Sequence, residues 1–211
     1  MQMRHARAMT IGLLLMPAVG SPQAPQQGPE PTVIYFVRHG EVDPSSPTFP
    51  LSDAGKRRAS AFARTVSNVD FTLILSSHTT RARQMVEPVA HERQLPVRQL
   101  PLPGARLEGV VVTDSTPSRV AVQPLVDALR AVPQGSRVLV GVNSDNIYAL
   151  LHGLGVRSAT AEHPCNKGAT CVPCLTNACF PGGEDQLWIL VVVAGSTRPT
   201  LIELRYGATV P

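Results

Sequence analysis

The 211-residue chain is poor in charged and aromatic residues, which make up 16% and 4% of its positions. It contains no G-x-x-x-x-G-K sequence and no G-x-S-x-G sequence, so a P-loop nucleotide site and a serine-hydrolase nucleophile have no support. Its net charge is +4, and removal of Arg4 and Arg7 with an N-terminal leader would leave +2. Because no basic stripe remains, nucleic acid is not expected as a partner. The apolar content of 43% excludes a disordered chain.

The first part of the chain has the pattern of a secretory signal peptide, which we predict at residues 1–20. Basic residues at 4–7 precede an apolar run at 9–16, and small residues at 18–20 provide a cleavage site. The run is shorter than the ~20 apolar residues that a bilayer requires, so no membrane association is expected after cleavage. Residues 21–31 are rich in Pro and Gln and predict a disordered tether. We therefore predict an exported protein, periplasmic or secreted, whose folded domain covers residues 32–211.

Within that domain the spacing of apolar residues alternates between the strand and helix periods. Strands are predicted at residues 33–37, 71–75, 97–100, 137–142, 187–193 and 201–206. Helices are predicted after the cap residue Ser52 and at residues 81–93, 120–132 and 146–154. Pro124 is expected to disturb the start of the third helix. This alternation predicts an α/β fold, a doubly wound three-layer α/β/α sandwich with a mostly parallel central sheet.

Polar sequences follow four of the predicted strands. They are RHGE at 38–41, SSHTTR at 76–81, RLEG at 106–109 and VNSD at 142–145. In such sheets ligands bind beyond the carboxyl ends of the strands, so these sequences are expected to converge on one site.

Three sequence motifs give the chain its likeness to a known family. VIYFVRHGE at 33–41, LSDAG at 51–55 and the pair of serines at 76–77 followed by Arg81 and Gln84 occur in that order. The chain thereby resembles the histidine phosphatase superfamily, which includes the phosphoglycerate mutases, over roughly residues 32–207. The resemblance implies a phosphomonoester hydrolase that forms a phosphohistidine on His39.

The chemistry expected of these residues follows from their side chains. A neutral imidazole at His39 is a nucleophile that needs no metal and no cofactor. Arg38 and Arg81 each present a planar fork that matches phosphate oxygens. Their positive charges should also disfavour protonation of His39. We therefore assign His39 to catalysis and Arg38 and Arg81 to phosphate binding.

The departing alkoxide needs a proton, which family members commonly supply from a carboxylate after the third strand. Glu108 is our candidate for this catalytic group. Asp114, Glu41 or a water molecule are alternatives, because the sequence around Glu108 is poorly specified.

The chain departs from the family pattern after the fourth strand. Family members have Gly-His-Ser there, whereas alignment on Ser144 places Asn143 at the histidine position. An amide can donate a hydrogen bond to phosphate but has no charge and cannot relay a proton. Asn143 is thus assigned to phosphate binding, and reduced activity is expected. His152 is too far along the helix to replace the missing histidine, and His78 is an improbable substitute.

Two hypotheses follow from this departure. The first is a phosphatase of reduced activity that acts through His39. The alternative is a catalytically inactive pseudophosphatase that binds a phosphorylated ligand or an anion. In both, the partner is a small phosphorylated substrate or phosphate. A mutase is disfavoured, because it would need the second histidine. The sequence does not indicate an oligomeric state.

A cysteine-rich insertion is predicted at residues 156–186. It contains all four cysteines of the chain, namely Cys165, Cys171, Cys174 and Cys179. In an exported protein these would form two disulfides that staple the loop, with the connectivity open. In the cytosol a zinc site would be favoured instead, although the outer spacings match no common zinc motif.

The resemblance implies that the strand after the insertion runs against the rest of the sheet. The loop that precedes it would then reach the rim of the site, either as a lid or specificity wall or simply as a surface loop. Glu184 and Asp185 lie in that position and are not assigned a role.

Overall fold

The computed structural model describes residues 30–77, 79–100, 106–107, 110–111, 122–143, 146–156, 171–172, 180–181 and 184–207. The strands are β1 (Thr32–Arg38), β2 (Leu73–Ser76), β3 (Val97–Gln99), β4 (Arg106–Leu107), β5 (Val110–Val111), β6 (Arg137–Val142), β7 (Cys171–Val172), β8 (Phe180–Pro181), β9 (Gln186–Val192) and β10 (Thr200–Arg205). The helices are α1 (Asp53–Thr65), α2 (Thr80–Arg93), α3 (Gln123–Arg130) and α4 (Ile147–Gly153).

Six strands form the main sheet, in the order β10-β9-β1-β6-β2-β3. β1 and β6 are parallel, with Val33 opposite Arg137 and Arg38 opposite Val142. β2 is parallel to both β6 and β3, whereas β9 is antiparallel to β1 and to β10. The sheet is therefore mostly parallel with one reversed strand. The predicted α/β fold class and the reversal of the strand after the insertion are confirmed.

Helices cover both faces of this sheet because side chains alternate along each strand. In β1, Ile34 and Phe36 face the core cluster that includes residues of α3 and α4, while Val37 faces the cluster that includes residues of α1 and α2. β6 divides in the same way, with Val138 on the first face and Leu139 on the second. The central strands are thus buried on both sides, as expected for a doubly wound sheet.

The structure corrects the sequence prediction at the third helix. Pro124 lies in the first turn of α3, where a backbone N–H has no partner within the helix and a proline is tolerated. It therefore begins the helix rather than disturbing it. The apolar side chains Leu125, Val126 and Leu129 of this helix are buried.

Several predictions fall outside the described residues. They are the signal peptide at 1–20, nearly all of the tether at 21–31, and Cys165, Cys174 and Cys179. Within the described part of the insertion, β7 and β8 form a two-stranded antiparallel ladder. Across the described ranges, no helix combines the length and hydropathy needed to cross a membrane.

Candidate active site

The carboxyl ends of β1 and β6 place His39 and Asn143 next to each other along the same edge of the sheet. The parallel register sets Arg38 opposite Val142, and the His39 N–H donates to the Val142 carbonyl at 3.2 Å. Arg81, in the first turn of α2, approaches from the next strand connection and donates from Nε to His39 Nε2 at 3.1 Å. The ends of β1 and β6 and the first turn of α2 therefore meet at one edge of the sheet.

The hydrogen bonds of His39 define the protonation of its ring. Nδ1 lies 2.8 Å from the Gly40 carbonyl, which can only accept, so Nδ1 holds the proton. Nε2 is then the unprotonated nitrogen, and it accepts from Arg81. Only 8% of the residue is exposed. Burial, with the charges of Arg38 and Arg81, lowers the pKa of His39 to about 4, so the imidazole is neutral at neutral pH.

Arg38, the last residue of β1, presents a second guanidinium group next to His39 in the chain. Its side chain is 14% exposed, and burial lowers its pKa, as does the charge of Arg81. The charges of Arg38 and Arg81 also both lower the pKa of His39. A phosphate dianion placed between them would offset both charges, which is the environment expected of an anion site.

Glu41 is held as a carboxylate by Arg58. Arg58 Nε donates to Glu41 Oε2 at 2.9 Å, and Nη2 donates to the other carboxylate oxygen. This hydrogen bonding by Arg58 lowers the pKa of Glu41. A proton donor needs a raised pKa, so the geometry weighs against Glu41 as an alternative source of the leaving-group proton.

The sequence LSDAG fixes the turn that follows His39. Ser52 caps α1 by accepting from the Gly55 N–H, and its own N–H donates to the Glu41 carbonyl at 2.9 Å. A Cβ at Gly55 would lie 2.2 Å from that same carbonyl oxygen, so only glycine allows the approach. The main chain of α1 thereby holds the turn in place.

Gln84 of α2 links this turn to the second helix. Its Oε1 accepts from the Leu51 N–H at 2.7 Å. Gln84 and Arg81 lie on the same face of α2, three residues apart, so one helix both donates to His39 and anchors the LSDAG segment.

Asn143 is also held in a fixed orientation. The Thr79 hydroxyl, which caps α2, donates to Asn143 Oδ1 at 2.9 Å, and the Asn143 N–H donates to Asn146 Oδ1 at 3.3 Å. Asn143 is buried. An amide whose oxygen is occupied in this way can offer only its NH₂ group to an anion.

Sequence reasoning did not assign Glu184, which the structure places beside Arg38. Its Oε1 lies 3.9 Å from Arg38 Nη1, and its side chain is 37% exposed. The Tyr206 hydroxyl donates to the Glu184 carbonyl at 2.8 Å, and burial raises the pKa of Tyr206. The only signal in the sequence was the position of Glu184 ahead of a reversed strand.

Other candidates are not brought to this site by the described residues. Glu108, Asp114 and His78 lie outside the described residues. His152 is exposed in the last turn of α4. The described ranges contain no group of three or more His, Cys, Asp or Glu side chains that could hold a metal ion, and they include only the backbone of one cysteine, Cys171.

The sequence was compared with family models and with curated proteins. Residues 34–102 match the model of the histidine phosphatase superfamily (branch 1). No curated protein matches the chain in sequence.

Several solved structures share the fold. A mycobacterial hydrolase has a TM-score of 0.56 and 17% identity, with 84% of this chain and 99% of that chain covered. A mycobacterial glucosyl-3-phosphoglycerate phosphatase has a TM-score of 0.53 and 15% identity, with 83% and 99% covered. A phosphoserine phosphatase from Entamoeba histolytica in complex with 3-phosphoglyceric acid has a TM-score of 0.55 and 15% identity, with 84% and 98% covered.

At these identities the structural likeness is one of fold, while the sequence match covers β1 to β3 and includes His39, Arg38 and Arg81. Residues 34–102 are therefore similar in sequence to the histidine phosphatase superfamily, branch 1.

Proposed function

We propose that this protein is a phosphomonoester hydrolase that forms a phosphohistidine on His39. The observation that supports this most directly is the state of the His39 ring. Nδ1 is held by the Gly40 carbonyl, and Nε2 is unprotonated and faces Arg81. A neutral nitrogen beside two guanidinium groups is suited to attack an electron-poor phosphorus whose oxygens those guanidinium groups hold.

The reaction would proceed in two displacements. The Nε2 lone pair of His39 attacks phosphorus, and the bond from phosphorus to the ester oxygen breaks as the alkoxide takes a proton. Arg38 and Arg81 hold the equatorial oxygens of the transferred group. The Gly40 carbonyl accepts from Nδ1–H and offsets the positive charge that develops on the ring. Water then attacks phosphorus, the bond from phosphorus to Nε2 breaks, and the water proton passes to the carboxylate that protonated the alkoxide, so that phosphate leaves and the neutral imidazole is restored.

Reduced activity is part of this proposal and depends on Asn143. In place of a charged donor the site has a neutral amide, whose oxygen is occupied by the Thr79 hydroxyl. Loss of one charged donor from such a site costs on the order of a hundredfold in rate. Glu108 remains our proposed source of the leaving-group proton, since Arg58 holds the alternative, Glu41, as an anion.

The second candidate function is a pseudophosphatase that binds a phosphorylated ligand without turnover. The fixed orientation of Asn143 favours it, because this side chain can donate to an anion but cannot move a proton. Arg38 and Arg81 would serve such a protein equally well. The ligand in either case would be a small phosphorylated compound, as indicated by the structural neighbours that are named as phosphatases of such compounds.

Hydrolysis of 4-nitrophenyl phosphate by the purified protein and by His39→Ala separates the two functions. We expect a measurable rate that falls by at least about a thousandfold in His39→Ala, because the attacking nitrogen is lost. Equal rates would refute catalysis through His39. Phosphate binding measured by calorimetry, retained together with equal rates, would instead support the pseudophosphatase.

We also propose export through residues 1–20 and two disulfides among the four cysteines. The composition of residues 1–31 and the clustering of the cysteines support this. The masses of the secreted protein before and after reduction test it. A gain of four hydrogens supports two disulfides, whereas no gain together with bound zinc refutes them.

A further inference from the structure

Glu184 lies at the rim of the anion site, although the proposed reaction gives it no role. The reversed direction of β9 places the residues that precede it at the edge where β1 and β6 end. Glu184 Oε1 reaches to 3.9 Å from Arg38 Nη1, and its side chain stays 37% exposed to solvent. Glu184 would therefore lie next to a ligand bound at this site, on the side of the ligand where Arg38 lies.

The position of Glu184 is set by the closing strand. The Tyr206 hydroxyl donates to the Glu184 carbonyl at 2.8 Å, and the Tyr206 N–H donates to the Asp185 carbonyl at 3.0 Å. The Tyr206 ring in turn packs against Phe62 of α1, with centroids 5.3 Å apart. The main chain around Glu184 is thus tied to the same helix that fixes the turn after His39, which keeps the carboxylate at the rim.

Glu184 reduces the net positive charge of the described site residues. Glu41 and Arg58 neutralise each other through two hydrogen bonds. Glu184 lies 3.9 Å from Arg38 and partly offsets its charge, while its own charge opposes any further anion. With both carboxylates counted, the net positive charge of these residues is about one, which equals the charge of Arg81 alone. A phosphate dianion suits this balance, whereas a second anionic group on the same ligand would face Glu184.

We propose that Glu184 is a specificity-determining residue, which selects phosphomonoesters with a neutral or cationic group near the ester and discriminates against those with a nearby carboxylate. This rests on the proposed phosphatase function. The attraction between a substrate ammonium group and Glu184 and the repulsion of a substrate carboxylate have the same electrostatic origin, so both should weaken with added salt.

Three substrates test this: 4-nitrophenyl phosphate with an uncharged leaving group, 3-phosphoglycerate with a carboxylate and phosphoethanolamine with an ammonium group. In Glu184→Gln we expect the kcat/KM ratio of 3-phosphoglycerate to 4-nitrophenyl phosphate to rise by about fivefold to tenfold. The ratio for phosphoethanolamine should fall. Use of ratios removes any general gain in phosphate affinity from release of Arg38.

Asp185→Asn is the matched control. Asp185 is the next carboxylate in the chain, but it pairs with Arg205 at 3.4 Å rather than with Arg38. We expect both ratios to stay within about twofold of the native protein, as for a surface ion pair. Unchanged ratios in Glu184→Gln, or an equal change in Asp185→Asn, would overturn the proposal.

Failure of the phosphatase function would look different. In that case none of the three compounds would be hydrolysed faster than by His39→Ala. The dissociation constants of inorganic phosphate and 3-phosphoglycerate, measured by calorimetry, then replace the kinetic ratio. A larger gain for 3-phosphoglycerate than for phosphate in Glu184→Gln would support the role of Glu184, and equal changes would refute it.

Discussion

The ends of β1 and β6 lie side by side but differ in the kind of group they present. The β1 end presents His39, which accepts a hydrogen bond from Arg81 and whose pKa is lowered by burial and by the charges of Arg38 and Arg81. The ion pair of Glu41 and Arg58 lies in the turn that follows. The β6 end presents Asn143, which forms neutral hydrogen bonds with Thr79 and Asn146. The β1 end therefore carries charged groups, whereas the β6 end carries a neutral amide in a fixed orientation.

This difference suggests that the two strand ends serve different steps of the proposed reaction. In the proposed reaction, activation of the nucleophile depends on β1 and α2, which carry residues matched by the family model. Stabilisation of the transferred group would depend partly on β6, which presents a neutral amide. We therefore expect the site to bind an anion well but to turn it over slowly. The predictions below alter one end at a time.

The largest effect is expected from Arg81→Gln at the β1 end. Loss of this charge removes a phosphate ligand and the donor to His39 Nε2, so kcat/KM for 4-nitrophenyl phosphate should fall by about a hundredfold to a thousandfold. Arg83→Gln is the control, because Arg83 lies on the same helix but pairs with Glu87 at 3.4 Å on the surface. Similar losses in both variants would show that α2, rather than Arg81, is responsible.

A gain is expected at the β6 end from Asn143→His. A histidine restores a donor that can be charged, and kcat should rise by about tenfold to a hundredfold. Asn143→Ala, which removes the donor altogether, should not rise. No increase in Asn143→His, in a variant that still binds phosphate, would contradict the view that the neutral amide limits turnover.

Gly55→Ala tests how the β1 end is held. The new methyl group would meet the Glu41 carbonyl oxygen at 2.2 Å, so the turn or α1 must move. We expect the free energy of unfolding to fall by about 1–3 kcal/mol, as for other overpacked sites, with a concurrent loss of activity. Lys56→Ala, an exposed position on the same helix, should change stability by less than about 0.5 kcal/mol in denaturant unfolding.

The smallest effect concerns the pKa of His39. Removal of a nearby positive charge makes protonation easier, so the pKa of about 4 should rise in Arg81→Gln but stay below the ordinary value of 6.5, because burial is the largest cause. NMR titration of the imidazole measures it, with Arg83→Gln as the comparison. A pKa that does not move would contradict an effect of Arg81 on the protonation of His39.

Much of this fold was accessible from the sequence because its strands are short apolar runs separated by amphipathic helices. β6 begins and ends where predicted, at Arg137 and Val142, and α1 begins after Ser52. The residues of the β1 end were also predicted, since His39 and Arg81 belong to motifs. Pro124 was misjudged because a helix start and a helix break use the same residue type.

The remaining site residues depend on contacts that no local pattern reveals. Arg58 has the spacing of an ordinary helix cation, and only the close approach of Gly55 to Glu41 brings it to that carboxylate. Thr79 is recognisable as a cap, but its hydroxyl also orients Asn143 across the sheet edge. Glu184 reaches Arg38 through the register of β9 on β1.

The reversed direction of β9 has a consequence for redesign. A strand parallel to β1 would receive its chain at the far edge of the sheet, whereas β9 receives it beside Arg38, at Glu184. New sequence inserted ahead of β9 would consequently change the surroundings of the proposed anion site while the sequences of β1 and α2, which position His39 and Arg81, stay as they are. We therefore expect ligand preference to be easier to alter in this scaffold than reactivity.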